Sequence, residues 1–533
     1  MRGADLLVQT LALVGVDRIF SLSGNQIMPV YDACIDAGIE IIHTRHEAAA
    51  VFMADAYAQL TGGIGVCLVT AAPGAANALG PLYTARQSES PVLLLTGDSP
   101  LSQDGQGAFQ ELDQVPMTAP LTKLSVRANS AIELGTVIAV ALQTALSGRP
   151  GPVHVALPSD VLEGDARGAE LPNAQDLRSH PNPMNASEVT ALLKALAMAK
   201  APLILCGPSM SNTRAGSTLT KLADAIDAPV VAMESPRGLN DPALGDFAKA
   251  FEHADLIVSL GKPIDFSLGF GALTDSNWIV IDPENAKIDQ AKLNLGEKLT
   301  FAVVADPRDA ALTLIEKGPG LNARKDWRAK VASRLARRNF SAADAKQRGK
   351  ITSSDLCIAV QKQIAQAAQS VVISDGGEFG QWSQACTSPT YRLINGPSGA
   401  IGGALCYGVA AKKAKSDATV FALMGDGTVG FHFAEFETAA RENSAFIVVI
   451  GNDQRWNAEH QIQLRDYGPD RLIGCQLSDA RYDKAAAALG AHGEHVTDLA
   501  DLDAALSRAV LSGKIACVNV VIEGLPAPSG SVH

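Results

Sequence analysis

The chain has 533 residues, 47% of them hydrophobic and 19% charged, with a formal net charge of −12. That length allows about three or four domains, and the scattered acidic excess argues against nucleic acid or an anionic membrane as a partner. Eight cysteines occur without a CxxC pair, which argues against a thiolate metal site or a secreted disulfide framework.

In chain order, "MRGADLLVQTLALVGVDRIF" reads as an amphipathic helix running into a strand rather than as a cleaved leader. No apolar run approaches the roughly 18 residues that span a bilayer, so a cytoplasmic protein is expected. "RIFSLSG" is strand-like and is followed by Asn25 and Gln26 in a turn. "EAAAVFMADAYAQLTG" has helical composition and closes on Gly62, and "IGVCLVTAAPG" and "PVLLLTGD" are further strands. Cys67 and Cys206 lie inside such apolar runs and read as small buried hydrophobes.

Residues 162–187 are rich in Pro, Asn and Asp and read as a linker. Residues 316–350 begin with a Gly/Pro break and continue as a charged, exposed helix. These cuts predict an α/β protein of three domains, 1–170, 188–318 and 350–533. Alternating strands and helices imply a parallel sheet flanked by helices in each.

The sharpest chemical signal is "ALMGDGTVGFHFAEFETAARENSAFIVVIGNDQRWN", residues 422–457. Gly425-Asp426-Gly427 ends one apolar strand and Asn452-Asp453 ends the next, with a helix expected between them. Ligands of open α/β sheets bind outside the carboxyl ends of strands. The glycines let backbone N–H groups approach an anion, and the following helix is expected to turn its positive end toward it. Hard oxygen ligands beside phosphate are the usual setting for Mg²⁺.

This spacing resembles the motif of thiamine-diphosphate-dependent enzymes, and further segments resemble the same family along essentially the whole chain. The resemblance implies Mg²⁺ held by Asp426, by a side chain of the second corner and by the carbonyl of Arg455. That second side chain is Asn452 or Asp453, and the count from Asp426 favours Asp453. "RHEAAAVFMADAYAQLTG" resembles the segment whose glutamate, here Glu47, activates the aminopyrimidine ring. "TAAPGAAN" resembles the loop beside that ring and contains Pro73 and Asn77. "GPSGAIGGALCYGVAAK" resembles the segment that bends the cofactor, with Ile401 as the wedge and the Gly399 carbonyl as acceptor for the 4′-amino group. The resemblance extends the cofactor contacts to Gly377, Glu378, Thr428 and Trp456. It also implies three domains (pyrimidine-binding, central and diphosphate-binding) and a homodimer or homotetramer with the active site at the subunit interface.

Within the family the nearest likeness is to acetolactate synthase, oxalyl-CoA decarboxylase and benzaldehyde lyase. That implies a small-molecule 2-oxo acid or related carbonyl substrate. "GAFQELDQVPMTAPLTK" resembles the acetolactate synthase segment with Gln110 and Lys123, which would orient a carbonyl or carboxylate. Asn25 and Gln26 read either as a polar turn or as donors to a substrate oxygen. Glu459, six residues past Asp453, stands where pyruvate decarboxylase carries a catalytic acid, and it reads equally as a helix-surface charge. FAD is expected to be disfavoured in the central domain, because "MESPRGLNDPALGDF" lacks the histidine of the matching stretch; an ADP-like effector or an empty domain remains. No long tail follows "GLPAPSGSVH", so by family analogy an acyl-CoA lid is not expected. The leading expectation is therefore a carboligase acting on a 2-oxo acid. A simple decarboxylase and an acyloin or 2-hydroxyacyl-CoA lyase are the alternatives.

Overall fold

The computed structural model describes residues 1–318, 324–338, 350–394 and 398–528. The parts of the expected charged helix at 319–323 and 339–349 lie outside the described residues, as do 395–397 of the cofactor-bending segment and 529–533 of the tail.

Three parallel sheets form, each from short apolar strands separated by helices. The first contains β1 (Arg18–Ser21), β2 (Glu40–His43), β3 (Gly65–Val69), β4 (Val92–Asp98), β5 (Ser125–Arg127) and β6 (Val153–Pro158), in the order β2-β1-β3-β4-β6-β5. The second contains β7 (Pro202–Cys206), β8 (Val230–Ala232), β9 (Leu256–Leu260), β10 (Asn277–Asp282) and β11 (Leu299–Val304), ordered β11-β10-β9-β7-β8. The third contains β12 (Ile351–Thr352), β13 (Ser370–Ser374), β14 (Tyr391–Ile394), β15 (Thr419–Gly425), β16 (Ile447–Asn452), β17 (His492–Val496) and β18 (Ala516–Glu523). Its order is β12-β18-β16-β15-β13-β14, with β17 also on β18. β3, β7, β9 and β13 are buried at every position, as strands covered by helices on both faces must be. All eight cysteines are buried and unbridged.

The chain divides into two compact units. The first holds Met1–His180 with Leu405–Ser416 and His432–Ala445. There the Tyr407 hydroxyl donates to Asp55, and the Arg45 N–H donates to Glu435 Oε1 at 3.0 Å. The helix Glu47–Thr61 is buried along almost its whole length. Its many alanines let it lie close against neighbouring elements, and Gly62 ends it in the left-handed conformation at φ +74°. The second unit holds the other two sheets. Within it, Arg392 on β14 pairs with Asp241 at 2.9 Å, and the Thr213 hydroxyl donates to the Arg392 carbonyl at 2.7 Å.

Between the helices Ser159–Glu163 and Ala186–Met198 the chain runs without a regular helix. The second of these helices starts on a reciprocal cap. Asn185 accepts from the Ser187 and Glu188 N–H groups, and Glu188 accepts from the Asn185 N–H.

One expectation fails in detail. After Gly425-Asp426-Gly427 comes a single turn, Asp426–Val429, and the helix begins only at Glu435. "DGTVG" carries two glycines and a β-branched pair, a composition that cannot sustain helix without packing. The longer helix whose start borders this corner is Gly377–Cys386, which follows β13.

Candidate active site

In the third sheet the strand order reverses between β13 and β15, which opens a crevice at their carboxyl ends. A cavity of about 230 Å³ lies there. Gly377 and Glu378 border it from the start of the helix after β13, and Gly399 and Ile401 border it from the loop before Ala404. Gly425, Asp426, Gly427 and Thr428 line it from the end of β15, and Asp453, Arg455, Trp456 and Glu459 from beyond β16. Residues about 80 positions apart in sequence are thus gathered because parallel strands bring their carboxyl ends to one edge.

Asp426 is 2% exposed, and its Oδ2 has no hydrogen-bond partner. The Asp426 and Asp453 carboxylates face each other. Burial pushes both above the usual carboxylate range, and the Asp426 charge pushes Asp453 further. Two buried acids with an orphaned oxygen are a poor arrangement alone and a good one around a cation. Asn452 points elsewhere: its Nδ2 donates to Asn519 Oδ1 at 3.1 Å, and its Oδ1 accepts from the Gln454 N–H at 3.2 Å. Gln454, between Asp453 and Arg455, holds φ +60°, a conformation that is costly without glycine and that turns the chain sharply here. Among the described residues no three His, Cys, Asp or Glu side chains gather at metal spacing. Two carboxylates completed by a carbonyl and by phosphate oxygens suit Mg²⁺, which binds few protein ligands.

Space around the corner is shaped by glycine. A Cβ on Gly427 would meet the Trp456 ring at 2.6 Å, and one on Gly524 would press on Asp453 Oδ2 at 3.2 Å. Thr428 Oγ1 donates to the Gly425 carbonyl at 3.1 Å. Arg455 Nε donates to the Asp453 carbonyl at 3.0 Å, and its Nη1 lies 3.2 Å from His460 Nε2.

Two residues that sequence reasoning missed complete this half. Asp375, 2% exposed, accepts from the Gly402 N–H at 2.9 Å and the Ala404 N–H at 3.1 Å. It thereby ties the loop of Gly399 and Ile401 to the end of β13, and the Ile401 side chain fills the space beside Gly376. A polar residue before Gly-Gly at a strand end is the same signal as Gly-Asp-Gly, so it was available in the sequence. Arg237 comes from the central sheet's turn "ESPRGLN" and lines the same cavity; nothing local marks it. Burial also raises the Glu378 carboxyl, with Arg237 opposing the shift and Glu459 adding to it.

In the first unit, Glu47 opens its helix and is 9% exposed. The Asn77 amide donates to Glu47 Oε2 at 3.0 Å. Pro73 begins the short helix that ends at Asn77, entered through Ala72 at φ +44°. Gln26 is buried, donating to Gln110 Oε1 at 2.7 Å and accepting from Thr70 Oγ1 at 2.6 Å. Gln110 itself sits at φ +59°. Asn25 is exposed at the start of the turn Asn25–Ile27. Lys123 is placed differently from expectation. Its Nζ donates to the carbonyls of Thr144 and, at 2.5 Å, Ser147, at the C-terminal end of the helix Leu134–Leu146. A cation stabilises those unpaired carbonyls, so Lys123 caps a helix and does not join Gln110.

A strand-end cavity with paired acids, facing glycines and a separate helix-start glutamate defines a cofactor-dependent α/β enzyme. Residues 1–117 match the thiamine pyrophosphate enzyme N-terminal TPP binding domain, 189–314 the central domain and 375–520 the C-terminal TPP binding domain. The chain belongs to the thiamine-pyrophosphate-dependent enzymes. It is 31% identical over 538 residues to a probable acetolactate synthase of Mycobacterium bovis, covering 98% of this chain and 96% of that protein. It is 27% identical over 581 residues to 2-hydroxyacyl-CoA lyase 2 of Danio rerio, covering 99% and 93%. A probable acetolactate synthase large subunit of Methanocaldococcus jannaschii is 26% identical, covering 98% and 92%. No helix among the described residues is long and apolar enough to cross a membrane.

Proposed function

We propose that this enzyme is an acetolactate-synthase-like carboligase, which decarboxylates a 2-oxo acid and joins the remaining fragment to a second carbonyl compound. The observation that carries the cofactor half is the facing pair Asp426 and Asp453 with the orphaned Asp426 Oδ2 at the strand ends. The acetolactate synthase names of relatives matched over nearly their full length support the reaction.

Thiamine diphosphate, when bound, supplies the carbon centre that stabilises charge after CO₂ departs. Asp426, Asp453 and the Arg455 carbonyl would hold Mg²⁺, and Gly425, Gly427, Thr428 and the start of the helix at Gly377 would receive the diphosphate. Ile401 and the Gly399 carbonyl would set the cofactor's shape. Trp456 covers the Gly427 side, and Glu378, which borders the same cavity, would lie near the diphosphate. Glu47 would exchange a proton with N1′ of the aminopyrimidine, and Pro73 and Asn77 would shape the wall beside it. Gln26 and Gln110 orient the substrate carbonyl, with Asn25 at the rim. The domains run 1–170, 188–318 and 350–533, and the working assembly is a homodimer or homotetramer with its active site at the subunit interface. A cytoplasmic setting goes with this reading.

A second reading has its own observation. Glu459 is exposed on the cavity wall, where it could deliver the proton that takes the place of CO₂ on the substrate carbon in a 2-oxo acid decarboxylase, or serve an acyloin or 2-hydroxyacyl-CoA lyase. ¹³C NMR of labelled pyruvate with the enzyme, Mg²⁺ and thiamine diphosphate separates these readings. Acetolactate or acetoin supports ligation. Acetaldehyde alone supports the decarboxylase, with Glu459→Ala then slowing aldehyde release. Untouched pyruvate removes this donor and turns attention to acyloins and 2-hydroxyacyl-CoA esters.

A further inference from the structure

A second cavity, of about 140 Å³, adjoins the one that receives the diphosphate and shares Arg237, Gly376, Gly377, Gly399 and Ile401 with it. Arg237 is carried by a stiff turn. Its N–H donates to Ser235 Oγ at 3.2 Å, the Gly238 N–H donates to the Ser235 carbonyl at 3.1 Å, and the Asn240 N–H donates to the Arg237 carbonyl at 2.9 Å. Gly238 holds φ +56°, and a Cβ there would collide with the Ser267 carbonyl, so the turn has little freedom to move.

Among the described residues the Arg237 guanidinium makes no hydrogen bond or ion pair. The other cation on these walls, Arg455, is occupied by the Asp453 carbonyl and His460. Glu378 and Glu459 also line the larger cavity, so an anionic substrate would meet two like charges and one free opposite charge. A guanidinium binds a carboxylate through two parallel hydrogen bonds, which fixes orientation as well as charge.

We propose that Arg237 reads the carboxylate of the 2-oxo acid and so sets the enzyme's preference for charged over neutral carbonyl substrates. This rests on the reading of the reaction given above. It assigns a specificity role to a residue of the central domain.

The test compares pyruvate with methyl pyruvate, which keeps the carbonyl and removes the charge. In the holoenzyme, Arg237→Ala should lower the kcat/KM ratio of pyruvate to methyl pyruvate by at least about tenfold, the value of one charge-assisted contact. The loss should fall on KM more than on kcat, affinity for thiamine diphosphate should stay within about twofold of wild type, and Arg237→Lys should recover part of the ratio. An unchanged ratio, or a loss explained by weaker cofactor binding, overturns the proposal. Should wild-type enzyme turn over neither compound, the 2-oxo acid reading fails. Calorimetric titration of the same two compounds into wild-type and Arg237→Ala holoenzyme then decides separately. Charge-selective binding lost in the variant upholds Arg237; its absence in wild type, or its survival in the variant, refutes the proposal.

Discussion

The two polar corners of this enzyme are built on opposite principles. Around Glu47 and Gln26 the polar groups satisfy one another: Asn77 donates to Glu47, and Thr70, Gln26 and Gln110 form a chain of hydrogen bonds. Around Asp426 and Asp453 two buried acids face each other, and one oxygen goes without a partner. The first corner is organised by its own sequence. The second stores unfavourable electrostatics that a bound cation would relieve. Pre-organisation suits a group that must hold one proton in register, whereas stored repulsion makes binding release free energy.

The largest effect should come from the organised corner. Glu47→Gln should retain thiamine diphosphate yet lose about 10²–10⁴-fold in turnover, as read by steady-state rates beside cofactor titration; near-wild-type turnover would remove Glu47 from the mechanism. Next, Asp426→Asn should abolish the thermal stabilisation that Mg²⁺ with thiamine diphosphate gives wild type. Without cofactor it should leave stability unchanged or raise it by about 1–3 kcal/mol, since a buried repulsion is lost. Differential scanning calorimetry with and without cofactor reads both, and a variant still stabilised by cofactor would break the contrast.

A pH effect belongs to the first unit. His154 is fully buried among Thr96, Thr118 and Ser125 at 2.9 Å each, and burial pushes its pKa down to about 3. The unfolded chain binds that proton near pH ~6.5, so the stability His154 contributes is present above that pH and declines as pH falls toward the folded value. Between pH 6.5 and 4, cofactor-free wild type should lose Tm more steeply than His154→Gln. Equal slopes would place the acid sensitivity elsewhere. The smallest effect is expected for Thr70→Val, which removes one hydrogen bond to Gln26 and should cost about 1 kcal/mol. A chemical denaturation midpoint that does not move would show the network to be dispensable.

Much was legible in the sequence because it is local. A strand that must be buried on both faces writes itself as an unbroken apolar run, and glycine beside an acid at its end marks a backbone that has to approach a ligand. Asp426 and Asp453 are marked that way, as are the three successive α/β segments by their strands, whereas Glu47 is singled out only by the family resemblance of "RHEAAAVFMADAYAQLTG". Asp375 could have been found by the strand-end signal. The helix expected over "FHFAEFETAARENS" is there but starts only at Glu435, so its first turn does not reach the Gly425 corner, where Asp426–Val429 form a single turn.

What only the tertiary structure decided depends on where side chains from distant strands end up. Lys123 and Gln110 lie in one motif, yet one caps a helix and the other meets Gln26. Asn452 and Asp453 are adjacent, but Asn452 is the last residue of β16 and turns to Asn519 on β18, while Asp453, just past the strand end, faces Asp426. Arg237 belongs to a different sheet and lines the cavity because parallel strands present their carboxyl ends, and the turns that follow them, where ligands are bound. Sequence thus determined the kind of cofactor this protein takes, and packing decided which residues stand free to meet its substrate.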